Sequence, residues 1–281
     1  MSISQSGYSS GFAEPEYLPE DGEPRLVRSG VLFLDVLGVE RGACDDDPLG
    51  FLRRLRTALE EARLSCGADE EVLHMRALFS DSLIAGFPLV AELTSADVIG
   101  PAIVMAAEFQ LELIKHGFFL RGGIAFGDHY MDTSFAFGPA LVEAAALEGR
   151  ADVPRVVLSR AAAEAELEAT RQAGDSPQRQ YLLDDSDGTT FVSYLDVAIH
   201  TEDRQEVGHI LASHRDMVCE MLDAHAGQPT IESKYLWVAR YHNHICRNRA
   251  PQPLGPRYLI EIDSHESGLE DFGPDPGIST N

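Results

Sequence analysis

The chain has 281 residues, 44% of them apolar and 24% charged, with a formal net charge of −24. That apolar share excludes a wholly disordered protein, and the length suffices for a sizeable core in one domain or two. So acidic a surface repels nucleic-acid backbones and anionic membranes, and it requires any anion site to be built from metal or clustered Arg and Lys.

Residues 1–26 are expected to form a flexible arm, rich in Ser, Gly, Pro and Glu and without periodicity. They lack the basic and apolar regions of a secretory signal. Val27 to Leu37 reads as a fully buried central strand ended by Gly38. Pro48 then starts a helix in which Leu49, Leu52, Leu55, Leu59 and Leu64 fall close to helical spacing. Val72 to Leu78 and Ser82 to Phe87 form a hairpin around Ser80-Asp81. Ser95 and Asp97 cap a helix that runs to about His116. Its apolar stretch from Ile99 to Met105 falls short of the ~20 residues that span a bilayer, so it is read as helix core.

Phe118 to Phe126 is a strand whose Gly122-Gly123 pair marks a bulge or a close backbone approach. Gly127 to Ser134 follows as a turn or short hairpin arm, with His129 to Asp132 at its tip. Gly138-Pro139 opens a helix ending near Gly149, and Val153 to Leu158 is the next strand. Asp184 to Gly188 turns between two short strands. Two long helices follow, Glu206 to Ala226 and Thr230 to Asn248, within a helical extension over 201–262. Residues 263–281 read as an acidic, disordered tail. Cys44, Cys66, Cys219 and Cys246 are far apart and form no Cys-x-x-Cys, as expected of a reduced, cytoplasmic protein without a disulfide framework.

This order predicts an α/β (α+β) protein with a ferredoxin-like βαββαβ sheet, helices on one face and a C-terminal helical extension. It brings the first strand and the hairpin together, and so Asp35 beside Asp81. Each aspartate adjoins an apolar run, where an unpaired carboxylate is costly. As a pair they suit one or two divalent metals held against a phosphate chain; singly, each is read as ending a strand or opening a turn. Phe33, two residues before Asp35, faces the same side of the strand and is read as core or as a nucleobase wall. Arg121 beside two glycines offers a guanidinium and bare amides to phosphate, or simply ends a strand. Glu143 and Glu148 read as solvated positions or as site residues, and Arg155 as the partner of Glu148. Trp237, Tyr241 and Ile245 follow core-packing spacing, whereas His242 and His244 point to different sides of a helix and cannot share a metal.

Five stretches together resemble class III nucleotidyl cyclases, and more closely the pyrimidine (uridylate) cyclases of the bacterial Pycsar antiphage defence system. They are Phe33-Leu-Asp-Val-Leu-Gly38, Phe79-Ser-Asp-Ser-Leu83, Leu120-Arg-Gly-Gly-Ile124, the segment from Phe137-Gly-Pro-Ala through Leu147-Glu148 to Pro154-Arg155-Val156, and Lys234-Tyr-Leu-Trp237 with Tyr241 and Asn243. The resemblance implies a cyclase catalytic domain over 27–200 that works as a homodimer. It implies conversion of UTP, or CTP, to a 3′,5′-cyclic monophosphate and pyrophosphate, and a separate effector that responds to the product.

It further implies two Mn²⁺ or Mg²⁺ ions on Asp35, Asp81 and the Val36 carbonyl, with Arg121 catalytic and Phe33, Arg76, Arg155 and Lys234 around the nucleotide. The chain departs from the class at Val142 and Ala146, where an Asn and an Arg usually hold ribose and transition state. It departs again at Ala77, next to Arg76, where purine-specific members often keep a lysine. Cytidylate, adenylate or guanylate cyclase, or a catalytically inactive cyclase-like regulatory domain, are the alternatives. A polymerase palm conflicts with the charge, and the Gly-Gly-Asp/Glu-Glu/Asp-Phe signature of diguanylate cyclases is missing from the hairpin.

Overall fold

The computed structural model describes residues 14–17, 19, 22–44, 46–66, 74–78, 81–91, 93–132, 135–173, 177–200, 203–262 and 272. In chain order they form α1 (Glu14–Tyr17), β1 (Val27–Val36), α2 (Val39–Ala43), α3 (Pro48–Cys66), β2 (His74–Leu78), β3 (Ser82–Pro88), α4 (Ser95–Lys115), β4 (Leu120–Met131) and β5 (Ala136–Phe137). There follow α5 (Pro139–Arg150), β6 (Val156–Leu158), α6 (Arg160–Ala173), β7 (Leu182–Asp184), β8 (Thr190–Val192), α7 (Leu195–Ile199), α8 (Arg204–Ala224) and α9 (Pro229–Asn248).

One mixed sheet runs β2-β3-β1-β4-β6-β8-β7, with β5 paired to β4. Its first four strands have the order expected of βαββαβ, β1 lying antiparallel between β3 and β4. Leu32, Leu34 and Val36 of β1 pack with α3 and α4 in the main core. Val31, one step out of phase, packs instead with Ala125, Ala140 and Ala144. Thus α5 covers part of the opposite face, which the one-sided expectation did not include. A central strand apolar at both parities needs cover on both sides.

Other details differ from the sequence reading. In α3 the buried positions are Leu55, Ala58 and Ala62, while Leu49, Leu52 and Leu64 are exposed. The N-cap of α4 is Thr94, and Asp97 closes the capping box by accepting from the Thr94 amide at 2.7 Å. β4 continues without a bulge to Met131, so His129 lies in a strand rather than at a hairpin tip. His129 is buried, and its Nδ1 lies 3.1 Å from the hydroxyl of Tyr17. Tyr17 belongs to the segment expected to be a flexible arm, yet its ring is wholly buried. Of the expected tail only Phe272 lies within the described residues, packed on Phe191 and Trp237.

The helical extension closes a second core. Trp237, Tyr241 and Ile245 are buried there, as their spacing predicts. His242 and His244 do have separate partners: His242 meets His214 and the Tyr258 carbonyl, and His244 meets Asn248. The four cysteines are free thiols. No helix among the described residues is long and apolar enough to cross a membrane.

Candidate active site

Asp35 is the last but one residue of β1, on the parity that faces α5. Strand pairing sets it directly between Ser82 of β3 and Arg121 of β4. Asp81 immediately precedes β3, and its carbonyl accepts from the Val36 amide at 3.0 Å. The two aspartates expected to meet are therefore neighbours at one end of adjoining strands. Burial first, and then the charge of Asp81, push the Asp35 carboxyl above its ordinary value, against hydrogen bonds and charge from Ser82 and Arg121. The hydrogen bonds to Asp35 are long, 3.2 Å from Ser82 Oγ and 3.4 Å from Arg121 Nη2, so its oxygens are weakly engaged.

Arg121 has a closer partner. Its Nη2 lies 2.6 Å from Glu148 Oε1, on the last turn of α5. That contact is an ion pair rather than an aligned hydrogen bond, because Glu148 Oε1 lacks hydrogen-bond geometry to any donor among the described residues. Burial raises the Glu148 carboxyl, Arg121 opposes the rise, and the charges of Asp35 and Asp81 add to it. Glu148 reaches the strand because α5 presses onto Gly123. A Cβ on Gly123 would come 2.4 Å from the Ala144 carbonyl oxygen, and one on Gly122 would come 2.5 Å from that of Phe33. The Gly122-Gly123 pair thus marks close approach and not a bulge. The sequence reading gave Glu148 no greater weight than Glu143, which is exposed.

The other anticipated residues divide. Val36 is buried beside Asp81. Phe33 is half-buried, in register with Ile84 and Gly123 on the Asp35 side of the strand. The backbone of Arg76 is in register with Ile84, and its side chain lies outside the described residues. Lys234 is half-buried on α9, next to Tyr235, whose ring meets Phe119 just before β4. The expected pairing of Arg155 with Glu148 does not form. Arg155 instead bridges Asp185 and Asp187 on the β7–β8 turn, with its guanidinium 6.0 Å from the Trp237 ring centre. Its neighbours along the sheet hold it there.

The end of the sheet thus sets Arg121 between Asp35 and Glu148, with Asp81 near enough for its charge to act on both carboxyls, and the buried Arg121 Nε meets no hydrogen-bond acceptor among the described residues. An all-oxygen donor set fits hard divalent cations such as Mg²⁺ or Mn²⁺. A tighter donor group, Glu61, Glu112 and His116, lies between α3 and α4 with ligand atoms within 4.8 Å of one another. There His116 Nε2 already meets Glu61 at 2.8 Å, and Lys115 meets Glu112 at 2.7 Å.

No protein-family model and no curated protein matches the chain. Among solved structures, the adenylyl cyclase CyaB from P. aeruginosa is similar at 13% identity and a TM-score of 0.43, over 51% of this chain and 82% of that one. The dimeric guanylyl cyclase domain of the RhoGC fusion protein from the aquatic fungus Blastocladiella emersonii is similar at 13% identity and a TM-score of 0.39, over 60% of this chain and 98% of that one. A class III adenylyl cyclase-like ATP-binding protein from Pseudomonas aeruginosa is similar at 12% identity and a TM-score of 0.42, over 66% of this chain and 41% of that one.

Proposed function

We propose that the chain is a nucleotide cyclase that converts UTP to 3′,5′-cyclic UMP and pyrophosphate, making a second messenger for a separate effector in antiphage defence. The observation that carries the reading is the convergence of Asp35 and Asp81 on adjoining strands, with Arg121 alongside. The ribose 3′-hydroxyl gives up its proton to solvent as its oxygen attacks the α-phosphorus, the bond to the α,β-bridging oxygen breaks, and pyrophosphate leaves with that oxygen. Bound at the site, two Mn²⁺ or Mg²⁺ ions supply Lewis-acid activation of the hydroxyl and neutralise triphosphate charge.

The rest falls to the protein. Asp35 and Asp81 hold the ions, with the Val36 carbonyl as an added donor, and Ser82 orients the Asp35 carboxylate. Arg121, whose side chain is partly exposed, offers its guanidinium to a phosphate oxygen. Phe33 walls one side of the site, and Lys234 is assigned to the nucleotide on the resemblance alone. Catalysis then rests on positioning and charge stabilisation, without a covalent intermediate.

A pyrimidine substrate rests on the Pycsar-like motifs and on Ala77 in place of a base-reading lysine. UTP is preferred to CTP on the resemblance alone. A homodimer is supported by an apolar patch, Phe135, Phe137 and Val142, that is 51–69% exposed around β5 and the start of α5. A cytoplasmic location agrees with the free thiols.

A second reading, a cyclase-like regulatory domain without turnover, is favoured by Val142 and Ala146, which offer no ribose or transition-state donor. Purified chain incubated with Mn²⁺ and each labelled nucleoside triphosphate decides between them. Cyclic UMP is expected. Cyclic AMP as sole product overturns the pyrimidine assignment, and no product from any triphosphate, with an in-cell phenotype unchanged by Asp81→Ala, supports the regulatory domain.

A further inference from the structure

Arg121 poses a problem for the proposed site. A guanidinium that settles on Asp35 occupies the ligand a divalent cation needs, and its positive charge repels that cation. The structure holds the guanidinium between two acids: the same Nη2 lies 2.6 Å from Glu148 and 3.4 Å from Asp35. Glu148 is the nearer by 0.8 Å, the difference of those two distances, and it comes from the helix side rather than from the strand ends where Asp35 and Asp81 meet.

We propose that Glu148 is the positioning residue of this site. It draws Arg121 back from Asp35, leaving the Asp35 carboxylate to the divalent cation. The inference rests on the metal-dependent reading above. Its structural basis extends to Gly123. Because a Cβ there would strike the Ala144 carbonyl and come 2.7 Å from Leu147 Cβ, glycine lets the last turns of α5 lie close enough for the carboxylate of Glu148 to reach the strand. Leu147 and Glu148 are adjacent on that turn, so the height of the helix sets the position of the acid.

Without Glu148, Arg121 keeps Asp35 as its ion-pair partner and closes the long 3.4 Å contact to an ordinary one. The cation then competes with a fixed guanidinium. A partner that orients a metal site indirectly commonly changes metal affinity by about 10–100-fold when removed.

The test is Mn²⁺ binding to the full chain without nucleotide, read by titration calorimetry and by the free-Mn²⁺ paramagnetic resonance signal. Glu148→Gln is expected to weaken Mn²⁺ binding by roughly tenfold. Adding Arg121→Gln to Glu148→Gln is expected to restore it, because the competing cation is gone. Arg121→Gln alone is expected to bind Mn²⁺ at least as tightly as the unsubstituted chain, an arm that does not depend on Glu148→Gln folding.

Unchanged affinity in Glu148→Gln overturns the proposal. So does a double variant as weak as Glu148→Gln, since Glu148 is then itself a ligand, and so does weakened binding in Arg121→Gln. Asp35→Asn separates the two levels: Mn²⁺ binding unaffected by it breaks the metal reading, whereas binding lost there but unmoved by Glu148→Gln breaks the positioning role alone.

Discussion

Two regions of the molecule bury charge and treat it in opposite ways. In the helical layer, Asp196 is fully buried and is held by Arg249, which also donates to the Gln180 and Leu182 carbonyls. Arg155 nearby is clasped by two aspartates. The buried His214 and His242 form a neutral chain from the Tyr194 hydroxyl to the Tyr258 carbonyl. At the end of β1, by contrast, Asp35 and Glu148 share the guanidinium of Arg121, and the charge of Asp81 raises both their carboxyls. Matched charge fixes a helix layer in place. At the end of β1 the charged groups are instead partly open to solvent, Asp35 and Arg121 being 21% and 25% exposed.

The comparison is broken most severely by removing a matched partner. Arg249→Met leaves Asp196 buried with its charge unanswered, and breaking a buried pair on one side costs about 3–5 kcal/mol. Urea unfolding should show that loss; a change under about 1 kcal/mol would mean that solvent reaches Asp196 and that the layer is not closed. At the end of β1 the loss falls on activity instead: Asp81→Asn lifts from Asp35 and Glu148 a charge that raises both carboxyls, and turnover should fall by about 10²–10³-fold, the loss typical of removing one electrostatic stabiliser. A variant that unfolds instead would assign Asp81 a structural job.

Much of this contrast could be read from the sequence, though unevenly. Asp35 and Asp81 stood out because charge next to a strand's apolar run conflicts with burial, and strand pairing needed only the βαββαβ order to bring them together. Glu148 did not stand out. Its proximity to Arg121 depends on how closely α5 lies on β4, which no periodicity encodes. The signal was Gly122-Gly123, which asks what backbone comes close; the helix after that strand was the candidate, and the acid at its end followed. The alternate cover of β1 was equally available, since Val31 through Leu34 is apolar at successive positions. The α3 stripe was misread by following leucines alone, because its buried face uses Ala58 and Ala62 to let α4 approach. Tyr17 could not be foreseen, as one aromatic in a Pro- and Glu-rich segment has no period. Arg155 was assigned the wrong acid for the same reason as Glu148: its partners come from a turn some thirty residues further along.

A middle-sized effect tests whether the histidines are held neutral. Burial pushes His129 and His242 down to about 4 from 6.5, with nearby Arg215 adding to the effect at His242 and the Tyr258 carbonyl opposing it. The unfolded chain therefore takes up protons first as pH falls. Stability is complete above about pH 6.5, declines towards pH 4, and loses nothing further from these groups below that. Between pH 7 and 5.5 the two together should remove about 2 kcal/mol. Urea midpoints at half-unit steps would check it. A flat profile across that interval would mean that the rings are already solvated.

The smallest effect sharpens the contrast best, because it asks what Arg155 is for. Asp185 is enclosed and also accepts from Trp237 Nε1 at 2.9 Å, whereas the Asp187 side chain is 49% exposed. Asp187 Oδ1 accepts from the Thr189 amide at 3.0 Å and from its hydroxyl at 2.6 Å, and asparagine keeps that oxygen. Asp187→Asn therefore removes one screened charge from a guanidinium that retains its buried partner, so the cost should be under about 1 kcal/mol and shrink further in high salt. If Arg155 serves only to tie β6 to the β7–β8 turn, this variant leaves the KM for nucleotide where it was. If Arg155 leaves the clasp to meet a phosphate, loosening it lowers KM, and the matched region has to be counted as part of the site.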